Sequence, residues 1–251
     1  MATTIQLTQS SSNLIGYLNG WTSGFGSTYG AFYDAQTSSL ATTTIDPNTT
    51  YEAWGDGSNG GKGIVMSGAL QYSQGNLTGS VDSIVLGSGY SQSTSGIAVS
   101  QQELLIDPDS AYSLAGARDL LDLAVYQLAR FGSLAGFYDY FAATGTVIED
   151  TAASDTLTGF AGADTFVFSG GNDVVTAGPS GTYGYQDGTD KLDISAWGVG
   201  NIDDVFISSN ANGDAVIENT FGGDSITLVG VNSSVLDASD FIFASATALA
   251  A

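Results

Sequence analysis

The chain contains no cysteine and no histidine. The first absence removes disulfides and thiolate chemistry. The second removes His-based zinc sites, His-assisted nucleophilic triads and the H-E-x-x-H helix of zinc proteases. Positive charge is almost missing as well. Lys62, Arg118, Arg130 and Lys191 stand against 26 acidic residues, a net charge of -22. Phosphate contacts need Lys and Arg, so this balance argues against nucleic acid or an anionic membrane as partner and suits divalent cations instead. No run approaches the ~18 apolar residues of a membrane span, and no membrane insertion is expected. The opening MATTIQLTQSSSN has no basic start, no apolar core and no small-residue cleavage site, and is not read as a secretory signal peptide. Neither a Walker nor a Rossmann glycine loop is present, and the plentiful acidic residues cannot be paired as acid and base from sequence alone. An enzyme is not expected.

What is present is ample for folding: 251 residues with 43% hydrophobic content, enough for two modest domains. The most ordered stretch is SDTLTGFAGADTFVFSGGNDVV, residues 154–175. Asp155, Asp164 and Asp173 recur every nine residues, as do the apolar Leu157, Phe166 and Val175 and the pair Gly162 and Gly171. Such a period, with Gly and Asp in a turn and one inward apolar residue, is the mark of a calcium-binding parallel β-roll. Glycine lets the backbone turn where a Cβ would clash, Asp supplies a hard oxygen ligand, and the apolar residue starts a short strand. Two nonapeptides make one turn of a roll, so Asp155 and Asp173 are expected on one edge, sharing a calcium ion. The alternative is an acidic, Gly-rich turn region whose spacing is accidental. Weak calcium sites fill at the millimolar levels found outside cells, which places the protein outside the cell or on its surface.

Leu14, Leu18, Trp21 and Phe25 recur at helical spacing, closed by Gly24 and Gly26, and 26–50 reads as a long loop. Strands follow at 62–74 and 76–86, joined at Gln74-Gly75, and again at 97–106. A helix is expected over 111–131, capped by Asp109 or Ser110 and burying Leu114, Leu121, Val125 and Leu128. A second carries Leu134, Phe137, Tyr138 and Phe141. Residues 1–146 therefore read as an α+β domain, an antiparallel sheet with helices on one face. Residues 147–243 read as an all-β calcium-binding domain of the parallel β-roll type. Its short strands lie near 204–208, 215–219 and 225–229, and 244–251 forms a tail.

The C-terminal part resembles the β-roll domain of serralysin-type and other RTX proteins, through DTLTGFAGADTFVF (155–168), DGTDKLDIS (187–195), GGDSITLVGV (222–231) and DFIF (240–243). The resemblance implies a calcium shell of Asp155, Gly159, Gly162, Asp164, Gly171 and Asp173. It also implies export by type I secretion machinery, with the tail 244–251 as part of an uncleaved signal and folding on meeting calcium. The N-terminal part is similar to the HasA-type hemophores through GYLNGWTSGFG (16–26), SGALQYS (67–73) and GSVDSIVLG (79–87). That family holds haem between two loops with a Tyr ligand helped by a His. Tyr72 occupies the ligand's place, the assisting His is missing, and the first loop offers Tyr29 and Tyr33 as further donors. The other role open to Tyr72 is packing on a neighbouring strand. Two functions follow: haem capture by a secreted calcium-binding protein, or a non-catalytic surface, matrix or filament protein that has lost haem and self-assembles into a homo-polymer with calcium. A third is an adhesive module for another ligand.

Overall fold

The computed structural model describes residues 2–25, 30–108, 112–115, 119–178 and 182–245. It is mostly β, with three α-helices among the described residues. Two units emerge, one over Leu18–Tyr140 and the other joining Thr4–Tyr17 to the chain from Phe141 onward. The stretch Thr4–Tyr17 thus groups with the C-terminal half. Its strand Thr3–Leu7 lies next to Thr146–Glu149, and Thr156 N–H donates to the Ser12 carbonyl at 2.6 Å.

The first unit is α+β. Its sheet runs Gly96–Asp107, Asn76–Ser93, Gly63–Ser73, Tyr51–Gly57, Ala31–Asp34 and Ser39–Ala41, each antiparallel to the next. Gln74-Gly75 makes the hairpin turn, where Ser73 pairs with Asn76. Two expectations are corrected. The supposed loop over 26–50 contains the strands Ala31–Asp34 and Ser39–Ala41, because the Asp34 carboxylate accepts from Gln36 N, Thr37 N and Thr37 Oγ1 and folds the chain back on itself. Tyr51–Gly57, which the sequence reading left unassigned, is a strand whose alternation two glycines hide. The helix expected from 111 begins only at Leu120, because Tyr112–Ala115 extends along Thr78–Val81 as a strand that buries Leu114.

Helix α1 spans Leu14–Thr22 and α2 spans Leu120–Phe131; α3 follows at Ala135–Thr144. The Asp119 side chain caps α2 by accepting from Leu121 N at 2.9 Å, and Gly132 ends it in the left-handed region at φ 60°. Lys62 Nζ donates to the carbonyls of Gly20, Trp21 and Ser23, setting a cation at the negative end of α1. One sheet face buries Ala31, Val65, Tyr90 and Ile97, with Tyr33 packed against them. The other carries Phe32, Trp54 and Met66, which are cross-strand neighbours.

In the second unit the strands fall into two ladders, with Gly159–Phe160 and Thr182–Tyr183 pairing antiparallel as a separate small sheet. Thr146–Glu149, Asp164–Val167, Lys191–Asp193 and Phe241–Ile242 pair in parallel in one. Thr156–Leu157, Asn172–Val175 and Ser225–Leu228 pair in parallel in the other, continued antiparallel by Ala215–Asn219 and Val205–Ser209. Between Thr146 and Val175 register partners stand eighteen residues apart, Phe166 beside Ile148 and Leu157 beside Val175; beyond it the separations are longer, Leu192 beside Phe166 and Ile226 beside Asp173. Leu157, Phe166 and Val175 are wholly buried, so the apolar beat of nine is the inward face of both ladders. No helix among the described residues is long and apolar enough to cross a membrane.

Candidate metal centre

Asp173 sits on the strand Asn172–Val175 and Asp155 just before the neighbouring strand Thr156–Leu157, so the parallel register sets them one turn apart. Asp155 N–H donates to Asp173 Oδ1 at 2.8 Å. Asp155 Oδ2 accepts from Thr151 N at 2.9 Å and Thr151 Oγ1 at 2.8 Å. The remaining oxygens, Asp155 Oδ1 and Asp173 Oδ2, are buried with no hydrogen-bond partner. Asp150 joins them from the turn after Thr146–Glu149, held by Ser169 N and Ser169 Oγ. Each of the three carboxylates offers an oxygen within 4.8 Å of the others.

In this cluster Asp150 and Asp173 are held against ionisation. Burial pushes the Asp173 carboxyl up to about 7; the hydrogen bond from Asp155 N pulls it down, and repulsion from Asp150, Asp155 and Asp224 raises it further. Burial likewise raises Asp150 to about 6, against the pull of its Ser169 bonds. A buried acceptor without a donor costs about 1–3 kcal/mol, and here there are two. A hard divalent cation removes both costs at once. Carboxylate oxygens are the ligands calcium takes, so the residues fit that ion.

Asp164 stands elsewhere, on the opposite ladder. Its Oδ1 accepts from Thr146 N at 3.0 Å and Thr146 Oγ1 at 2.6 Å, and its Oδ2 accepts from Phe160 N at 2.6 Å. Asp164 N–H in turn donates to Asp190 Oδ1 at 2.9 Å, the same step by which Asp155 leans on Asp173. Every oxygen of Asp164 is therefore occupied by protein donors. Gly159 and Gly162 lie on that side: a Cβ on Gly159 would stand 2.7 Å from Asp164 Oδ2, and one on Gly162 2.8 Å from the Ala142 carbonyl.

Gly171 lies by the trio. Its N–H donates to Asp224 Oδ1 at 3.1 Å and its carbonyl accepts from Ser225 N at 2.9 Å. At φ 103° a side chain is strained, and a Cβ would meet the Ala153 carbonyl oxygen at 2.4 Å. Gly171→Ala is expected to destabilise the second unit by about 2 kcal/mol or more, read as a lower denaturant midpoint with the first unit unmoved.

Asp150, Asp190 and Asp224 are absent from the nine-residue beat, and sequence reasoning missed them. Tyr72 is half-buried, stacks on Phe32 with centroids 5.2 Å apart, and its hydroxyl oxygen accepts from Gly75 N at 3.1 Å. Tyr29 lies outside the described residues, as do Gly26, Asp109, Ser110 and all but the first two residues of the tail 244–251. Tyr33 packs on the sheet face opposite Phe32, away from Tyr72.

Residues 144–175 match the family pattern of the RTX calcium-binding nonapeptide repeat (4 copies). This stretch carries RTX repeats. The match contains Asp150, Asp155 and Asp173 together. No curated protein matches the sequence. Among solved structures, the apo hemophore HasA from Yersinia pestis is 18% identical, covering 57% of this chain and 90% of its own, at TM-score 0.44. The AlgE6R3 subunit of the Azotobacter vinelandii mannuronan C5-epimerase is 21% identical, covering 39% and 77%, at TM-score 0.21.

Proposed function

We propose that this is a secreted calcium-binding protein, exported by a type I system, whose C-terminal unit is a β-roll that folds around calcium outside the cell and whose hemophore-like first unit captures haem through Tyr72. The observation that carries the calcium part is the pair of buried, unpartnered oxygens on Asp155 and Asp173 beside Asp150. Those three residues hold the ion, and Asp224 adds negative charge close by. Calcium titration of the full chain should saturate, and Asp155→Asn should abolish the heat of binding.

Haem supplies a ferric iron that takes a phenolate ligand. Tyr72 lines a cavity of about 620 Å³, within the range of small-molecule sites. The Gly75 N–H at its hydroxyl is a donor that a phenolate oxygen also accepts, which supports a ligand role without the missing His. Haemin added to the full chain in calcium buffer is expected to give a shifted Soret band that Tyr72→Phe removes. No shift, or a shift that survives the substitution, ends the tyrosine-ligated reading.

A second reading, self-assembly into a polymer at the cell surface, draws on the edge strand Val205–Ser209, where Phe206 is 56% exposed and Phe221 nearby is 79% exposed. Light scattering that reports a monomer both with calcium and with chelator would dispose of it.

A further inference from the structure

The cavity in the first unit carries an acid among its rings. Asp122 and Tyr126 stand one turn apart on the same face of α2, and both line it. Its floor is the sheet face of Phe32 and Trp54, and Tyr72 forms one side. Phe32 and Tyr72 stack with centroids 5.2 Å apart. Trp54 is buried, while Tyr126 is 52% exposed and braced edge-on by Phe131 at 5.8 Å.

An acid in the first turn suits the positive end of a helix, and an exposed one would need no further account. Asp122 is instead half-buried against the cavity, and the cap of α2 is made by Asp119, which accepts from Leu121 N. Among the described residues no donor or cation lowers the Asp122 carboxyl: burial first, then repulsion from Asp119, pushes it up to about 6. A cation brought from outside offsets both. The faces of Tyr and Trp rings attract the same cation, and a net charge of -22 concentrates cations near the chain and repels anions. Arg130 also lines the cavity, but two turns further on, about 12 Å along the helix axis, so it bounds the opposite end.

We propose that this cavity binds an organic ammonium ion with a flat apolar body, its charge on the Asp122 carboxylate and its body between Tyr126, Trp54 and the Phe32–Tyr72 stack. The recognition uses neither iron nor a tyrosine oxygen. It therefore goes beyond the haem reading of the same cavity and can fail separately from it.

The test uses the full chain in calcium buffer at about 0.15 M salt, which screens diffuse attraction to the acidic surface. Three probes are compared by titration calorimetry: naphthylmethyl-trimethylammonium; naphthylacetate, a similar ring with the opposite charge; and tetramethylammonium, the charge without the ring. The naphthyl cation should saturate a single site per chain and bind on the order of tenfold more tightly than either other probe. Asp122→Asn should weaken it on the order of tenfold or more. Asp203→Asn removes an equal charge from the exposed surface of the second unit and should leave the affinity unchanged. Should Asp122→Asn disturb folding, Tyr126→Ala, at a half-exposed position, should weaken binding severalfold while the carboxylate stays. Equal affinity in wild type and Asp122→Asn overturns the inference, and so does naphthylacetate binding as tightly as the cation. A loss in Asp203→Asn as large as in Asp122→Asn marks diffuse surface attraction and overturns it too. If haemin gives a Tyr72-dependent Soret band and the naphthyl cation does not bind, the inference fails and the haem reading stands. If the cation binds through Asp122 and haemin gives no Soret shift, the haem reading fails and the inference stands.

Discussion

Chelating calcium is expected to split thermal unfolding of the full chain into two transitions, with the unit beyond Phe141 melting first. The reason lies in Asp150, Asp155 and Asp173, whose oxygens gather within 4.8 Å and leave two buried acceptors unpaired. A cation that binds only the folded form stabilises it by about 2.7 kcal/mol at a concentration one hundred times its Kd. For a domain of roughly a hundred residues each kcal/mol moves Tm by about 4–8 °C. A fall of roughly 10–20 °C in the second transition is therefore expected in calorimetry on going from millimolar calcium to chelator. The first unit should hold its Tm. Asp173→Asn sharpens the test. It should lose the calcium response, yet without calcium it should melt above the wild type, because one buried charge has gone. A single transition that chelator leaves in place would show that no calcium is bound at the trio.

Without calcium, the second unit should be more stable at pH 4.5 than at pH 8, contrary to the usual behaviour of an acidic protein. Folding raises the Asp150 and Asp173 carboxyls from 3.8 to about 6 and about 7. A group whose folded pKa is raised contributes stability that is fully present below its unfolded pKa and lost as pH climbs through the folded one. The window runs from about pH 4 to about pH 7. Asp173, almost fully buried, accounts for a loss on the order of 3 kcal/mol across it. Asp214 and Asp237 shift the other way, lowered first by the hydrogen bonds from Gly230 and Ser239 respectively. Their contributions fade only as pH falls below the ordinary carboxylate range, outside this window. Saturating calcium should reverse the slope, since the ion binds the ionised carboxylates and excludes their protons. Melts of calcium-free and calcium-loaded protein between pH 4.5 and pH 8 test both signs; parallel curves would mean that the trio does not titrate as a cation site.

The period of nine was legible because a repeat fixes which residues share an edge, and Asp155 with Asp173 follows from counting. Asp150 was not legible, since it precedes the beat and arrives through the turn that Ser169 holds. Asp164 reads like Asp155 in one dimension. The difference is what the fold supplies: Thr146, one turn earlier, brings an N–H and a hydroxyl to Asp164, and Phe160 brings another N–H. In the first unit the hairpin at Gln74-Gly75 was plain from its turn chemistry and flanking alternation. Tyr112–Ala115 was not, because Leu114, Leu121, Val125 and Leu128 also fit a helical stripe, and pairing with Thr78–Val81 overrode that pattern. The Tyr72 cavity needs α2 laid over the sheet. Nothing local places Arg130 near Phe32.

The two-ladder register has a consequence for the length of the chain. Between Thr146 and Val175 neighbours within a ladder differ by eighteen residues, so the repeat there has a parity as well as a period. Losing or gaining a single nonapeptide between Asp155 and Asp173 would send the strand that follows to the opposite ladder and bring Asp155 face to face with a residue from the wrong register. Adding two would merely lengthen the stack by one layer. Stable length variants of this segment are thus expected in even numbers of nonapeptides, a counting rule enforced by hydrogen-bonded geometry rather than by any individual side chain.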